Sequence, residues 1–398
     1  MMIIRYVRED DIHDIYKLAE KAGFGLTSLQ PHMELLSAKL KRACDTVKGI
    51  VDKGDQLYLF VLEDTKINKV IGLCGIEVAL GLSEPWYNFH VGTQVHSSKE
   101  LGIYKSHKTL FLSNDHTTCS ELCTLFLDPD YRKDKNGKFL SKIRFLYLAA
   151  FRNLFEKRIV AEMRGYSDAQ GYSPFWDALG HKFFDIEFTK ADYLSGTGQK
   201  SFIAEMMPRY PLYVDMLPEA AQKVIGQVHP NTYPAYKLLV GEGLRFQGYV
   251  DIFDGGATLE ADVENLRSIK ESAKAQVEIV AEVFEGAEPY LVSNDRYQDF
   301  RGLMIQHDPE AAVVKLTQDQ ANQLMVSQGD QVRILSLNPK VDELFEAEKP
   351  FYISNDQDSH GSKLQQDSEA DVKKLSQEQA NQRKVSHSAQ ARILDLTP

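Results

Sequence analysis

The sequence predicts an α/β (α+β) protein with a mixed sheet, flanking helices and a small C-terminal β-barrel-like domain. Apolar runs typical of strands alternate with helical periodicity over residues 1–280, and short strand-like runs follow from about residue 281. The 398 residues are 43% hydrophobic and 26% charged, a globular composition that allows a sizeable core. Two or three domains are expected for this length.

The N-terminal half is assigned from apolar periodicity and helix caps. After a strand at 3–7, Asp10 and Asp11 can cap a first helix, which Gly23 ends. A second amphipathic helix is predicted at 33–47. The next predicted elements are strands at 57–62, 70–79, 109–112, 121–127 and 159–163, and a helix at 139–155.

The C-terminal half contains two similar helix-to-strand units. Ser173 and Pro174 open a short helix that is predicted to end at Gly180, with Phe183 and Phe184 extended after it. The later elements are predicted as a helix at 233–243, a strand at 249–253, a charged helical stretch within 254–274, and a strand at 332–335 after a turn.

A repeat occupies the end of the chain. Residues 315–323 recur with conservative changes at 374–382, and 333–335 recur at 392–394. In the second copy Ser388 and Ala389 replace the turn-forming Gly329 and Asp330. We therefore expect residues 341–398 to be a degenerate repeat of 281–340 and to be dispensable for activity.

Charge and cysteine content exclude several classes of function. With 46 Lys+Arg against 57 Asp+Glu, the net charge of −11 argues against nucleic acid as a partner. No apolar run has the length of a membrane span or of a signal-peptide core, so a cytoplasmic protein without a membrane partner is expected. The four cysteines lack disulfide or zinc spacing, and no metal site is predicted.

The strand at 121–127 is followed by a basic loop and then by the helix at 139–155. Arg132, Lys133 and Gly137 belong to this loop, and amides at a helix N-terminus can bind a pyrophosphate. A solvated basic turn would show the same pattern. On its own, therefore, the pattern indicates only a possible anion site.

This arrangement resembles the acyl-CoA site of the GNAT superfamily of N-acetyltransferases. Eight blocks in order also resemble the arginine N-succinyltransferase family, at residues 25–29, 85–88, 111–116, 121–129, 161–165, 196–200, 224–230 and 251–256. The resemblance implies that succinyl-CoA, a co-substrate and not a permanently bound cofactor, reacts with L-arginine. The products would be N2-succinyl-L-arginine and CoA, in the first step of arginine catabolism.

The resemblance also implies site residues. It places the succinyl-CoA contact at Leu125, with Gly137 at the pyrophosphate, and assigns the proton donor to His229. A histidine that titrates near neutrality suits proton transfer to the CoA thiolate. From the residues alone, His229 could equally be a capping or surface residue.

The substrate should need carboxylates for its guanidinium group. The candidates are Asp115, Glu121, Glu162 and Asp254, and Arg164 could bind the substrate carboxylate. Two alternatives remain open: an acyltransferase for ornithine or another amine, and a non-catalytic protein that senses arginine or acyl-CoA.

The resemblance, the strand pattern and the repeat together predict four parts of the chain. Residues 1–205 would form a GNAT-like acyl-CoA-binding domain, and 206–280 a second, partial GNAT-like unit that completes the active site. Residues 281–340 would form the small β domain, and 341–398 the degenerate repeat. A homo-oligomer or an assembly with a related subunit is expected from the family.

Overall fold

A computed structural model describes residues 1–23, 26–196, 201–282 and 288–339. The chain forms two compact units. The first comprises residues 1–92 and the described residues from 109 onward, and the described part of the second is residues 93–108. The predicted degenerate repeat at 341–398 lies outside the described residues.

Fifteen strands of the described chain belong to one mixed sheet. They are β1 (Met2–Tyr6), β2 (Leu57–Asp64), β3 (Lys69–Glu77), β4 (Asn88–Ser98), β5 (Ile103–Ser113), β6 (Ser120–Leu127), β7 (Arg158–Glu162), β8 (Leu212–Tyr213), β9 (Arg245–Val250), β10 (Ala257–Asp262), β11 (Ala273–Ile279), β12 (Glu288–Ser293), β13 (Arg301–His307), β14 (Val313–Leu316) and β15 (Gln331–Ser336). Their order is β14-β11-β15-β12-β13-β1-β2-β3-β6-β7-β10-β9-β4-β5-β8.

Eleven α-helices accompany the sheet in the same described ranges. They are α1 (Ile12–Ala22), α2 (Met33–Val47), α3 (Asn136–Ala150), α4 (Pro174–Ala178), α5 (Gly180–Phe184), α6 (Phe188–Gly196), α7 (Ser201–Met206), α8 (Glu219–Val224), α9 (Tyr233–Glu242), α10 (Arg267–Glu271) and α11 (Gln318–Leu324). None of the described helices is both long and apolar enough to cross a bilayer. The mixed α/β class predicted from the sequence is therefore confirmed.

Strand β2 shows why helices cover both faces of the sheet. Successive strand residues point to opposite faces. Tyr58, Phe60 and Leu62 enter the core that contains α3, whereas the alternating Leu57, Leu59 and Val61 pack with α1 and α2. Because both sets are buried, β2 reads as a continuous apolar run and not as an alternating one.

Helix α3 is the central helix of the larger core. It contacts β3, β6 and β12, and residues along most of its circumference are buried. Lys142 is buried on this helix because it pairs with Glu242 at 2.6 Å, and Arg267 pairs with the same carboxylate at 2.8 Å. These paired charges link α3 to α9 and α10.

Four local predictions were wrong in whole or in part. Gly180 begins α5 and does not end α4, and Phe183 and Phe184 are helical, not extended. A Cβ on Gly180 would lie only 2.2 Å from the Trp176 ring, so close packing accounts for this glycine. The charged helical stretch predicted within 254–274 is helical only toward its end, at α10, and its earlier part forms β10, which pairs with β7 and β9. The strand predicted at 249–253 ends earlier, at Val250.

The C-terminal strands extend the main sheet. β13 pairs with β1 through Ile4 and Gly302, and β12, β15, β11 and β14 follow outward in the strand order. The barrel-like closure predicted for this segment is not confirmed. The domain boundaries after residues 205 and 280 stay predictions, and the sheet continues across both positions.

Candidate active site

The candidate site lies where the parallel strands β6 and β7 diverge. They pair at Ser120–Ile159 and Glu121–Val160, and within the described chain this pairing does not continue along the rest of β6. A cavity of about 720 Å³ opens beyond that point. Residues 122–125 of β6 line it from one side, and residues 161–164 from the other.

A β-bulge directs β6 toward this cavity. Gly75 pairs with Cys123 and Leu73 pairs with Phe126, so Thr124 and Leu125 together oppose one residue of β3. Thr124 adopts a left-handed φ of 51°, which costs about 1–3 kcal/mol for a residue that is not glycine. Leu125 is half-buried and lines the cavity, where its backbone can meet a ligand.

Four cations line the cavity in the described residues: Lys39, Arg42, Arg144 and Arg164. Lys39, on α2, donates to the Ser28 carbonyl at 2.7 Å and to the Thr124 hydroxyl at 2.9 Å. Removal of its ammonium group from water lowers the pKa of Lys39. This lysine therefore lies directly against the bulge.

Carboxylates line the opposite side of the cavity, at the end of β7 and in the turn between β9 and β10. They include Glu162, Asp251 and Asp254. Burial, and then the charges of Asp251, Glu121 and Asp254, raise the pKa of Glu162 well above its usual range. A neighbouring cation would stabilise the ionised form of such a carboxyl group, because a positive charge offsets the repulsion among the carboxylates.

Asp251 and Asp254 also hold the turn in place. The Asp254 carboxylate accepts from the amides of Gly165, at 2.7 Å, and Gly256, at 2.8 Å. Asp251 accepts from the amides of Phe253 and Asp254. Burial raises the pKa of both carboxyl groups. Asp254 is therefore a structural residue that also lines the cavity.

A buried hydrogen-bond chain supports Glu162 from behind. Asn88 donates to the Glu162 carboxylate at 2.9 Å and accepts from His116 Nδ1 at 2.7 Å. His116 Nε2 contacts Glu260 at 2.7 Å, and Glu260 pairs with Arg158 at 2.8 Å. Asn88 and His116 are both almost fully buried, so they fix the orientation of Glu162.

His229 neighbours Arg164 but is not itself among the residues that line the cavity. Its amide donates to the Arg164 carbonyl at 2.8 Å, and its Nδ1 accepts from the Asn231 amide at 3.1 Å, so the ring caps a short 3₁₀ turn. Burial, and then the charge of Arg164, lower the pKa of His229, while a hydrogen bond to the Ser167 backbone acts in the opposite direction. Because Nδ1 accepts from the Asn231 amide, Nε2 is the ring nitrogen that can carry the proton.

Gly137 lies in the first turn of α3, which Lys135 precedes in a left-handed conformation. Gly137 is exposed and does not line the cavity, but a Cβ there would lie 3.9 Å from the side chain of Leu127, the last residue of β6. Arg132 donates to the Leu127 carbonyl and lies over the Phe126 ring. The helix N-terminus is thus attached to the end of the bulged strand.

The structure brings most of the predicted side chains together. Glu121, Glu162, Asp254, Arg164 and Leu125 line one cavity. Asp115 does not line it: the Tyr249 hydroxyl donates to its carboxylate at 2.8 Å.

Sequence reasoning missed three residues of this site, namely Lys39, Asn88 and Asp251. One signal could have identified Lys39: it lies on the face of α2 that buries Leu36, Leu40 and Ala43. A lysine on the apolar face of an amphipathic helix requires a polar partner.

A mixed sheet whose parallel strands diverge around a cavity, with a bulged strand that leads into a helix N-terminus, defines an acyl-CoA-dependent N-acyltransferase of the GNAT type. The family model for the arginine N-succinyltransferase beta subunit matches residues 2–268, and the model for its C-terminal domain matches residues 273–336. The chain belongs to the arginine N-succinyltransferase family.

Individual relatives agree with this assignment. An arginine N-succinyltransferase of Yersinia pseudotuberculosis is 56% identical over 343 residues, which cover 85% of this chain and 98% of the relative. One from Citrobacter koseri is 51% identical over 338 residues, with the same coverage. The structure of arginine/ornithine succinyltransferase subunit AI from Pseudomonas aeruginosa matches with a TM-score of 0.78 and 34% identity, over 85% of this chain and 99% of that one.

Proposed function

We propose that this protein transfers the succinyl group of succinyl-CoA to the α-amino group of L-arginine. The products are N2-succinyl-L-arginine and CoA. The curated relatives named arginine N-succinyltransferase support the reaction. The observation that carries the proposal is the cavity between the diverging strands, which has a lysine at the bulge of β6 and carboxylates at the end of β7.

The reaction forms a carbon–nitrogen bond and breaks the carbon–sulfur bond of the thioester. The α-ammonium group must first lose a proton, since only the neutral amine has a lone pair for attack. After attack, the CoA thiolate leaves and takes up one proton. Of the two protons that the nitrogen loses, one ends on sulfur and the other in solvent.

His229 is proposed as the donor of the proton to sulfur. Its lowered pKa makes the imidazolium form a stronger acid than an ordinary histidine, which favours transfer to a thiolate. Nδ1 is engaged by the Asn231 amide, so Nε2 would deliver the proton. Arg164, adjacent to His229 and lining the cavity, is placed to bind the carboxylate of the amino acid.

The acyl-CoA is proposed to lie along β6. The bulge takes the Leu125 backbone out of its regular pairing with β3, so this backbone can bind the pantetheine arm near the thioester. Gly137 and the following amides of α3 would hold the pyrophosphate, with help from the helix dipole. The apolar side chain of Leu125 would contribute only packing.

The full-length protein tests this function directly. Release of free CoA thiol should be measured with succinyl-CoA or acetyl-CoA as donor and arginine, ornithine or lysine as acceptor. Succinyl-CoA with arginine should give the highest kcat/KM, and mass spectrometry should identify N2-succinylarginine. Preference for ornithine would favour the alternative enzyme. Binding of arginine and CoA without any thiol release would favour a sensor.

The proposal extends to assembly. The Pseudomonas structure is described as one subunit of its enzyme, which supports a homo-oligomer or an assembly with a related subunit here. Light scattering on the purified chain should give a mass above that of the 45.1 kDa monomer. A monomer that is fully active would contradict this part.

A further inference from the structure

Lys39 is a cation of the cavity whose charge is not neutralised by an ion pair among the described residues. Its ammonium group has three N–H donors. One reaches the Ser28 carbonyl at 2.7 Å and another the Thr124 hydroxyl at 2.9 Å, and both acceptors are neutral. One donor and a full positive charge thus remain at the cavity wall.

The other cations of the cavity differ from Lys39 in this respect. Arg42 pairs with Glu77 at 2.6 Å. Arg144 is 2% exposed and is enclosed by the Cys123 carbonyl and by the carbonyl and hydroxyl of Ser141. Arg164 lies on the opposite wall, at the end of β7, beside His229. On the side of the bulge, Lys39 is therefore the cation that can accept an anionic ligand.

An uncompensated ammonium group away from water is unfavourable, and a bound carboxylate would offset that cost. The charged and titratable groups that act on Lys39 are Cys123, Glu77, Arg42 and Glu121. Glu77 is already committed to Arg42, and Glu121 has the weakest effect of the four groups, so these carboxylates offset the charge of Lys39 only in part. The site favours a small anion that enters along β6.

We propose that Lys39 selects the acyl donor by binding the distal carboxylate of a dicarboxylic acyl-CoA. The inference rests on the proposed function and deepens it. Thr124, which Lys39 contacts, immediately precedes Leu125, where the thioester is proposed to lie. In a succinyl group only two methylene groups separate the carboxylate from the thioester carbonyl. An acetyl group ends in a methyl and leaves Lys39 without a counter-charge.

Equilibrium binding to the full-length protein, without any amine, tests this assignment. Lys39→Met should weaken the binding of succinyl-CoA by about 10- to 100-fold, the range for loss of a charged hydrogen bond. Binding of CoA itself, which lacks the carboxylate, should change by less than about twofold on this argument. Lys39→Arg keeps the charge and should retain most of the preference for succinyl-CoA over CoA.

Lys41→Met is the matched control, because Lys41 lies exposed on the same helix and pairs with Asp45. It should leave both affinities unchanged. An equal loss of succinyl-CoA and CoA binding in Lys39→Met would show that Lys39 has only a structural role, which would overturn the proposal. Unchanged succinyl-CoA binding would overturn it as well. If Lys39→Met fails to fold, Lys39→Gln is judged by the same comparison. Failure of arginine turnover in the wild-type protein would instead count against the proposed function, which this binding comparison does not require.

Discussion

The two walls of the cavity differ in how their charges are arranged, although each wall carries both signs: Glu121 lies on β6, and Arg164 follows β7. On the β6 side, Lys39 lies against the bulge, and Arg144 is enclosed beneath the strand. On the β7 side, Glu162 lies with Asp251 in a buried acidic group. The difference matches the two substrates: an acyl donor that ends in an anion and an amine that carries a cation.

The walls also differ in how they are held. The β6 wall depends on one strained residue, Thr124, and on the lysine that donates to its hydroxyl. The β7 wall is held by hydrogen bonds from several segments: the Gly165 amide donates to Asp254, Asn88 donates to Glu162, and the His229 amide donates to the Arg164 carbonyl. Substitutions should therefore act more locally at β6 than at β7.

The largest effect is expected on the β7 side at His229. His229→Ala should lower kcat by about 10²–10⁴-fold, with a much smaller change in KM, because proton transfer acts only in the transition state. His229→Asn is the matched control: an asparagine can still cap the 3₁₀ turn but cannot supply the proton. Full activity in His229→Asn would show that His229 only caps the turn and does not donate the proton.

Glu162→Gln tests whether the acidic wall binds the amine. KM for arginine should rise about tenfold, the usual effect of losing one charged hydrogen bond, while succinyl-CoA affinity stays unchanged. Asp115→Asn serves as the control, since Asp115 lies outside the cavity and is held by Tyr249. A loss of succinyl-CoA affinity in Glu162→Gln would contradict the division of the walls by charge.

The pKa shift of Glu162 adds a pH dependence. Because burial and the charges of Asp251, Glu121 and Asp254 raise its pKa, part of the carboxyl population stays protonated above the usual range. KM for arginine should fall as pH rises through that raised pKa, since only the carboxylate attracts the cation. The Glu162→Gln variant should show a flatter KM profile, and an unchanged profile would count against this role.

Lys39 should give the opposite trend for the donor. Removal from water lowers the pKa of Lys39, so the ammonium group loses its proton at a lower pH than an ordinary lysine. The dissociation constant of succinyl-CoA should rise by a few-fold, roughly, as pH increases through this pKa. Lys39→Arg stays charged and should therefore remove this pH dependence. If the pH dependence persists in Lys39→Arg, a group other than Lys39 titrates.

The smallest effect is expected from the C-terminal segment. All residues of both walls precede Pro339, and the family models end at residue 336. Truncation after Pro339 should therefore leave kcat and both KM values unchanged within about twofold, since most changes away from a site are small. Loss of activity on truncation would contradict this prediction and show that the repeat contributes to activity from outside the cavity.

Local sequence patterns predicted much of the fold. The apolar periodicity of residues 33–47 gave the bounds of α2 correctly, and the apolar runs located β2, β3, β6 and β7. The errors arose where tertiary contacts override local preference. Gly180 looked like a helix end but is required by the Trp176 ring. β10 was hidden in a charged segment because one of its two partner strands, β7, lies far away in sequence.

The sequence by itself determined the α/β class and the order of the central strands and helices along the chain. Through the family resemblance it also predicts roles for Leu125, Gly137 and His229. Only the tertiary structure decided which charges meet. Glu162, Asp251 and Lys39 belong to separate segments, and they line one cavity because β6 diverges from β7 and bulges at Thr124. Electrostatic interactions depend on distance and burial, and neither is encoded in a local pattern of residue types.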